Sequence, residues 1–117
     1  MKLVRASTGD VLAADLRTAR TAWARMRGLM GRTEMPGSGL LIEPADSIHT
    51  FFMRMPIDVI FLARDGRVLK LCRMVYPWRI CLAPWGARAV LEMRAGFIER
   101  HGLVPGERLE MRDKEQP

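Results

Sequence analysis

Apolar and polar positions change period several times along this chain, and each change marks an element. Lys2 to Arg5 and Val11 to Leu16 are short apolar runs on either side of Gly9-Asp10, which predicts two paired strands joined by a turn. From Thr21, the segment TAWARMRGLMGR sets Trp23, Met26, Leu29 and Met30 at three- and four-residue intervals. That spacing predicts a short helix with Thr21 as its N-cap. Gly28 and Gly31 close it, because glycine accepts the left-handed backbone of a helix end. Pro36-Gly37-Ser38-Gly39 then reads as a loop, and Leu40-Leu41-Ile42 as a short buried strand.

The clearest pattern is DVIFLARDGRVLKLCRM, two apolar, β-branched runs flanking Asp65-Gly66, a pair suited to a type I′ hairpin turn. Ile57, Val59, Phe61 and Ala63 share one face of the outgoing strand, and Ile60 and Leu62 the other. With both faces apolar, that strand belongs in the middle of its sheet. Pro77 and Pro84 bracket YPWRICLAPWG, whose irregular period predicts a connection running over the sheet surface. Ala87 to Met93 resumes the strand pattern, AGFIERHG reads as a second short helix ending at Gly102, and Pro105-Gly106 fits the centre of a type II turn before a last strand, Arg108 to Arg112. The expected class is α+β and mostly β: a curved antiparallel sheet tending towards a barrel, with two short helices. Residues 1–112 are expected to form one compact domain and 113–117 a loose tail.

Composition changes this picture little. With 117 residues, 49 % apolar and 27 % charged, the chain is of ordinary globular make-up, with no repeat or low-complexity tract. No apolar run nears the roughly 20 residues that span a bilayer. MKLVRASTGD has no apolar signal segment, so a cytoplasmic location is expected. The net charge of +6 comes from 19 basic and 13 acidic residues. It permits phosphate contact, but the arginines are scattered, no run of five like charges occurs, and no basic stripe alternates with aromatics, so nucleic acid is not the expected partner. Cys72 and Cys81 form no C-x-x-C pair and are expected to be reduced and structural. No cofactor and no metal site is expected, since neither His49 nor His101 has ligands at metal spacing.

Candidate chemistry concentrates in IHTFFMRMPIDVIF, where His49, Thr50, Arg54 and Asp58 punctuate an apolar stretch. If it is extended, Ile48, Thr50, Phe52 and Arg54 share one face and His49, Phe51, Met53 and Met55 the other. His49 either titrates near neutral pH, binds a metal or hydrogen-bonds a ligand, or is a half-buried imidazole bonded to a backbone carbonyl. Asp58 opens a buried strand and needs partners, either a turn that it caps or an arginine such as Arg27 or Arg73. Glu92 poses the same problem in the Ala87 to Met93 strand, on the face of Val90. Were the two acids neighbours, one pKa would rise and general acid/base work would follow. The nine methionines are expected chiefly as core filling.

The motifs RGLMGR (27–32), GLLIEP (39–44), FFMRMPIDVIFLARDGRV (51–68) and ARAVLEMRAGFIERHGLVPGERL (87–109), in this order, resemble the prokaryotic family known as domain of unknown function 192. The resemblance implies a small, mostly β domain with two short helices, and no activity. Where the family often carries Trp-Met-Lys-Asn-Thr, this chain has Phe52-Met53-Arg54-Met55 and then Pro56. Together with the residue reading, the resemblance makes Arg27, Gly28, Met30, His49, Phe52, Met53, Asp58, Glu92 and Gly96 the candidate ligand-binding residues, with no catalytic role assigned. The expected function is a ligand- or partner-binding accessory module taking a small anionic ligand or a protein partner, with Arg27 as a planar fork and Trp78 or Trp85 as an aromatic lid. One alternative is a small hydrolase or isomerase using Asp58 or Glu92 as base and His49 as acid. Another is a basic nucleic-acid binder.

Overall fold

The computed structural model describes residues 1–21, 24, 29–45, 47–113 and 115. Among them are ten strands, β1 (Lys2–Arg5), β2 (Val11–Ala13), β3 (Leu16–Ala19), β4 (Gly39–Ile42), β5 (Ile48–His49), β6 (Ile57–Leu62), β7 (Val68–Val75), β8 (Ile80–Cys81), β9 (Ala89–Arg94) and β10 (Leu109–Arg112), and one helix, α1 (Phe97–His101). They form a five-stranded sheet in the order β3-β4-β9-β6-β7, a three-stranded sheet β10-β1-β2 and the two-stranded pair β5-β8. The domain is mostly β, as its periodicity predicts. The barrel expectation is corrected, because these are separate sheets and β3 and β7 remain the edges of the largest. The helix predicted from Thr21 falls largely outside the described residues, which omit Ala22, Trp23, Arg25, Met26, Arg27 and Gly28. Thr21 Oγ1 does accept a hydrogen bond from the Ala24 N–H at 3.0 Å, as an N-cap would.

Two local departures have visible causes. The single strand expected over Val11 to Leu16 breaks at Ala14-Asp15, sending β2 to the small sheet and β3 to the large one. There the Asp15 N–H donates to Ser38 Oγ at 3.0 Å and the Ser38 N–H to the Asp15 carbonyl at 2.8 Å. This clamp leads β3 into parallel pairing with β4, against the antiparallel expectation. The Asp65-Gly66 hairpin is likewise not type I′. Only Gly66 takes a positive φ, 88°, the Gly66 N–H bonds to the Ala63 carbonyl at 3.0 Å, and the Ala63 N–H bonds to the Arg67 carbonyl at 2.9 Å. That is a three-residue loop with a left-handed glycine. Asp65 Oδ1 fixes it by accepting the Arg67 N–H at 3.1 Å. A side chain at Gly66 would run into the Leu109 carbonyl oxygen, so β10 can pack here only against glycine.

The central strand behaves as its pattern requires. Every residue of β6 is buried, between β9 and β7. Ile57, Val59 and Phe61 enter one apolar layer with Leu29, Met35, Leu40, Met53, Cys81 and Val90. Ile60 and Leu62 enter the other, with Leu3, Leu16, Leu91, Met93, Ile98 and Leu109. Each such side chain contributes roughly 1.5–3 kcal/mol by leaving water. The second layer is shared with the three-stranded sheet and α1, whereas the first is covered by loops. Those loops carry the candidate site.

Candidate functional site

Asp58 is buried at 1 % exposure, and its partners are main chain rather than arginine. Oδ1 accepts the Met74 N–H at 3.0 Å and Oδ2 the Ile98 N–H at 2.8 Å. Ile98 lies in the first turn of α1, whose own N-cap, Gly96, has no side chain to offer, so Asp58 caps the helix from a neighbouring strand. Met74 is a bulge residue with φ of 50°, where the β6-β7 register shifts between Ile57 and Val59. One carboxylate thus holds both a helix start and a strand bulge.

Glu92 is placed differently. Cross-strand partners share a face, and the register sets Asp58 against Met93 but Glu92 against Val59. Asp58 and Glu92 therefore point to opposite faces of the sheet. An acid-base pair of the two, as the hydrolase or isomerase alternative would use, is not formed. Glu92 lies in a row Leu40, Glu92, Val59, Cys72 across β4, β9, β6 and β7, at 3 % exposure, and its carboxyl accepts no hydrogen bond from a described residue. Burial pushes it up to about 7. At neutral pH it is part acid, part anion beneath the loop layer. Cys81 is nearby, and burial, followed by the neighbouring Cys72, raises its thiol to about 11. Both cysteines are free.

The extended reading of residues 48–55 fails at Thr50. Only Ile48 and His49 are strand, and the chain then turns, with the Met53 N–H bonded to the Thr50 carbonyl at 3.2 Å and Phe52 at φ 64°. Thr50 is fully buried and ties this turn to a second one, Tyr76-Pro77-Trp78-Arg79. Its hydroxyl donates to the Tyr76 carbonyl at 2.7 Å and accepts the Arg79 N–H at 2.7 Å, standing in the place of that turn's own closing hydrogen bond. Trp78 has φ of 66°. Its N–H bonds to the Thr50 carbonyl at 3.0 Å, and the Thr50 N–H to the Arg79 carbonyl at 2.8 Å.

The consequence is an aromatic surface on two locked turns. His49 packs on Phe51 at 5.0 Å, Phe51 stacks with Trp78 at 5.7 Å, and Phe52 meets Trp78 edge-on at 4.8 Å. Phe52, Trp78 and Ile80 are 57 %, 55 % and 62 % exposed. His49 is exposed rather than half-buried, and its Nδ1 accepts the Phe51 N–H at 3.2 Å instead of the ring bonding a backbone carbonyl. Met53 is buried below, with Leu29. The described end of RGLMGR docks here, since the Gly31 N–H donates to the Phe52 carbonyl at 2.7 Å, which brings half-buried Met30 alongside. Arg27 and Gly28 lie outside the described residues. Arg32, in the same turn, keeps Nε buried without a hydrogen-bond partner among the described residues. The structure thus divides the candidates: Met30, His49, Phe52, Met53 and Glu92 belong to one face, Asp58 and Gly96 to the other.

Sequence reasoning singled out Thr50 as a polar interruption and Trp78 as a lid, but passed over Arg32, the locking role of Thr50 and the turn at Trp78. The signal for the last was Pro77, which favours the second position of a turn whose third position takes positive φ. Residues 47–57 and 66–91 contain no Asp or Glu but include Arg54, Arg67, Lys70, Arg73, Arg79 and Arg88, so the aromatic turns stand on cationic ground.

A family model, DUF192, described as "Uncharacterized ACR", matches residues 3–111. A UPF0127 protein of Thermococcus sibiricus is 31 % identical over 97 % of this chain and 77 % of its own length. A protein of unknown function from Novosphingobium aromaticivorans superposes with a TM-score of 0.78 at 28 % identity, over 94 % of this chain and 82 % of its own. A Sinorhizobium meliloti protein described as a candidate transcription regulator superposes with a TM-score of 0.78 at 29 % identity, over 93 % of this chain and 89 % of its own.

Proposed function

This chain belongs to the DUF192 family, to which no activity attaches, and from its geometry we propose that it is a binding module receiving an anionic, partly apolar ligand or partner on the surface of Phe51, Phe52, Trp78 and Ile80. The observation that carries the reading is backbone strain. Phe52, Met74 and Trp78 are the non-glycine residues of positive φ among those described, and all three hold large apolar side chains in the open. Each conformation costs roughly 1 kcal/mol or more, and a side chain left about half in water returns only part of its apolar surface to folding. Strain held in place by the buried Thr50 and Asp58 suits a prearranged contact surface. Burial of that surface by a partner would recover the apolar free energy now left in water. The absence of acids from both segments favours a carboxylate- or phosphate-bearing partner. Nucleic acid, to which the Sinorhizobium meliloti protein's description would point, is disfavoured by the scatter of arginines.

The reading is tested by amide chemical-shift mapping with indole-3-acetate, octanoate and a short peptide of alternating Glu and Phe. Shifts should centre on Phe52, Trp78 and Arg79 and be abolished in Phe52→Ala and Trp78→Ala, both of which should melt within a few degrees of the parent. Shifts that scatter, or that persist unchanged in both variants, would remove the aromatic surface as the site.

A further inference from the structure

On the other side of the sheet, the turn between β9 and α1, the end of β2 and Ser38 enclose a cleft of about 260 Å³. None of its ten lining residues is acidic, while Arg94, Arg100 and His101 are basic or imidazole. Arg94 donates to the Gly37 carbonyl at 3.2 Å, which holds its guanidinium against the wall, and neither Arg94 nor Arg100 is ion-paired among the described residues. The acids near the cleft are Asp15, held by Arg17 at 2.9 Å, Glu107, held by Arg5 at 2.9 Å, Asp58, which caps α1 from β6, and the exposed Glu99 of α1 itself. His101 packs on Phe97 at 4.5 Å. Its pKa is lowered by burial first and then by Arg100 and Arg5, so the imidazole stands beside positive charge.

We propose that this cleft is a binding site for a small phosphate-type oxyanion, held between Arg94 of β9 and Arg100 of α1, with Ser38 and His101 as further donors. Cations supplied by two elements suit a tetrahedral anion with several oxygens, whereas a carboxylate is satisfied by a single guanidinium fork. The volume lies just below the usual range of small-molecule sites, so the ligand is a free phosphate or a compact monoester. Gly96, one of the sequence candidates, lines this cleft rather than the aromatic surface. The site is independent of the function proposed above.

The test is a titration with inorganic phosphate at constant ionic strength, followed by NMR. Saturable shifts are expected at the Gly96, Phe97, Arg100 and His101 amides, and the His101 ring should titrate at higher pH as phosphate fills the cleft, because the anion offsets Arg5, Arg94 and Arg100. Arg100→Gln and Arg94→Gln should each weaken binding at least tenfold, while Arg64→Gln, in the distant hairpin loop, leaves it unchanged. Arg100 is exposed and its side chain makes no hydrogen bond or ion pair with the described residues, so its variant should melt like the parent. Linear, non-saturating shifts, or equal weakening by all three substitutions, would show screening of surface charge and overturn the proposal.

Discussion

Glu92 illustrates how one buried group turns into a pH response. Its carboxyl moves from an ordinary value near 4.5 to about 7 because burial disfavours the anion. Below pH 4.5 both folded and unfolded chains hold the proton and nothing is lost. As pH rises from 4.5 to 7, the unfolded chain gives up its proton first, so stability falls, by roughly 3 kcal/mol in all, and stays lowered above 7. Glu92→Gln should therefore match the parent near pH 4.5 and exceed it by about 2–3 kcal/mol at pH 8 in urea denaturation. A difference of equal size at both pH values would mean that charge burial is not the cause. Thr50 poses the opposite case, a buried polar group whose donor and acceptor are both used. Thr50→Val keeps the shape but leaves the Tyr76 carbonyl and Arg79 N–H unsatisfied, costing roughly 2–3 kcal/mol. Thr50→Ser keeps the hydroxyl and should cost about 1 kcal/mol or less. Equal losses in the two variants would place the value of Thr50 in its methyl group.

Among the elements, β7 shows where strain is kept. Its bulge holds Met74 at φ 50°, a conformation natural to glycine. Met74→Gly should raise the unfolding free energy by about 1 kcal/mol, and Met74→Val, β-branched at a positive φ, should lower it by a similar amount or more. Thermal unfolding of the pair decides the matter, since a truncation effect alone would destabilise both. This element also shows what the sequence conceals. The alternation of Ile57, Val59 and Phe61 against Ile60 and Leu62 predicts the central strand and both layers, because solvent exclusion acts on every position. The turn at Phe52 carries no glycine or proline to announce it. It forms because the Thr50 hydroxyl reaches residues 26 and 29 positions away, and a contact at that range leaves no local pattern. In the same way Asp65 looks like half of a two-residue turn until its side chain claims the Arg67 N–H, and Asp15 looks like strand until Ser38 meets it. The acids at 58 and 92 were visible as anomalies. Their separation was hidden because it depends on which face of paired strands each occupies, a matter of register.

For the whole molecule, the five-stranded sheet separates the aromatic surface from the cationic cleft, and one side chain is bonded to segments that lead to each. Asp58 sends Oδ1 to the Met74 bulge, which leads into the Tyr76 to Arg79 turn, and Oδ2 to Ile98, which orients α1 and with it Arg100 and His101. Substitutions confined to one side share no partner with the other and should act independently. Trp78→Ala is thus expected to leave phosphate affinity at the cleft within twofold of the parent, and Arg100→Gln to leave indole-3-acetate shifts at Phe52 unchanged. Asp58→Asn is different. The amide offers one acceptor oxygen for two N–H donors and turns its own NH₂ towards one of them, costing roughly 2–3 kcal/mol of stability. Which side loses its bond decides the outcome: release of Ile98 lets α1 shift and weakens phosphate, release of Met74 loosens the bulge and weakens the aromatic probe. Measured together on Asp58→Asn, at least one affinity should fall several-fold while the protein remains folded. Both affinities unchanged, with stability alone reduced, would mean that each site is held by its own contacts and that the two faces are not joined through this carboxylate.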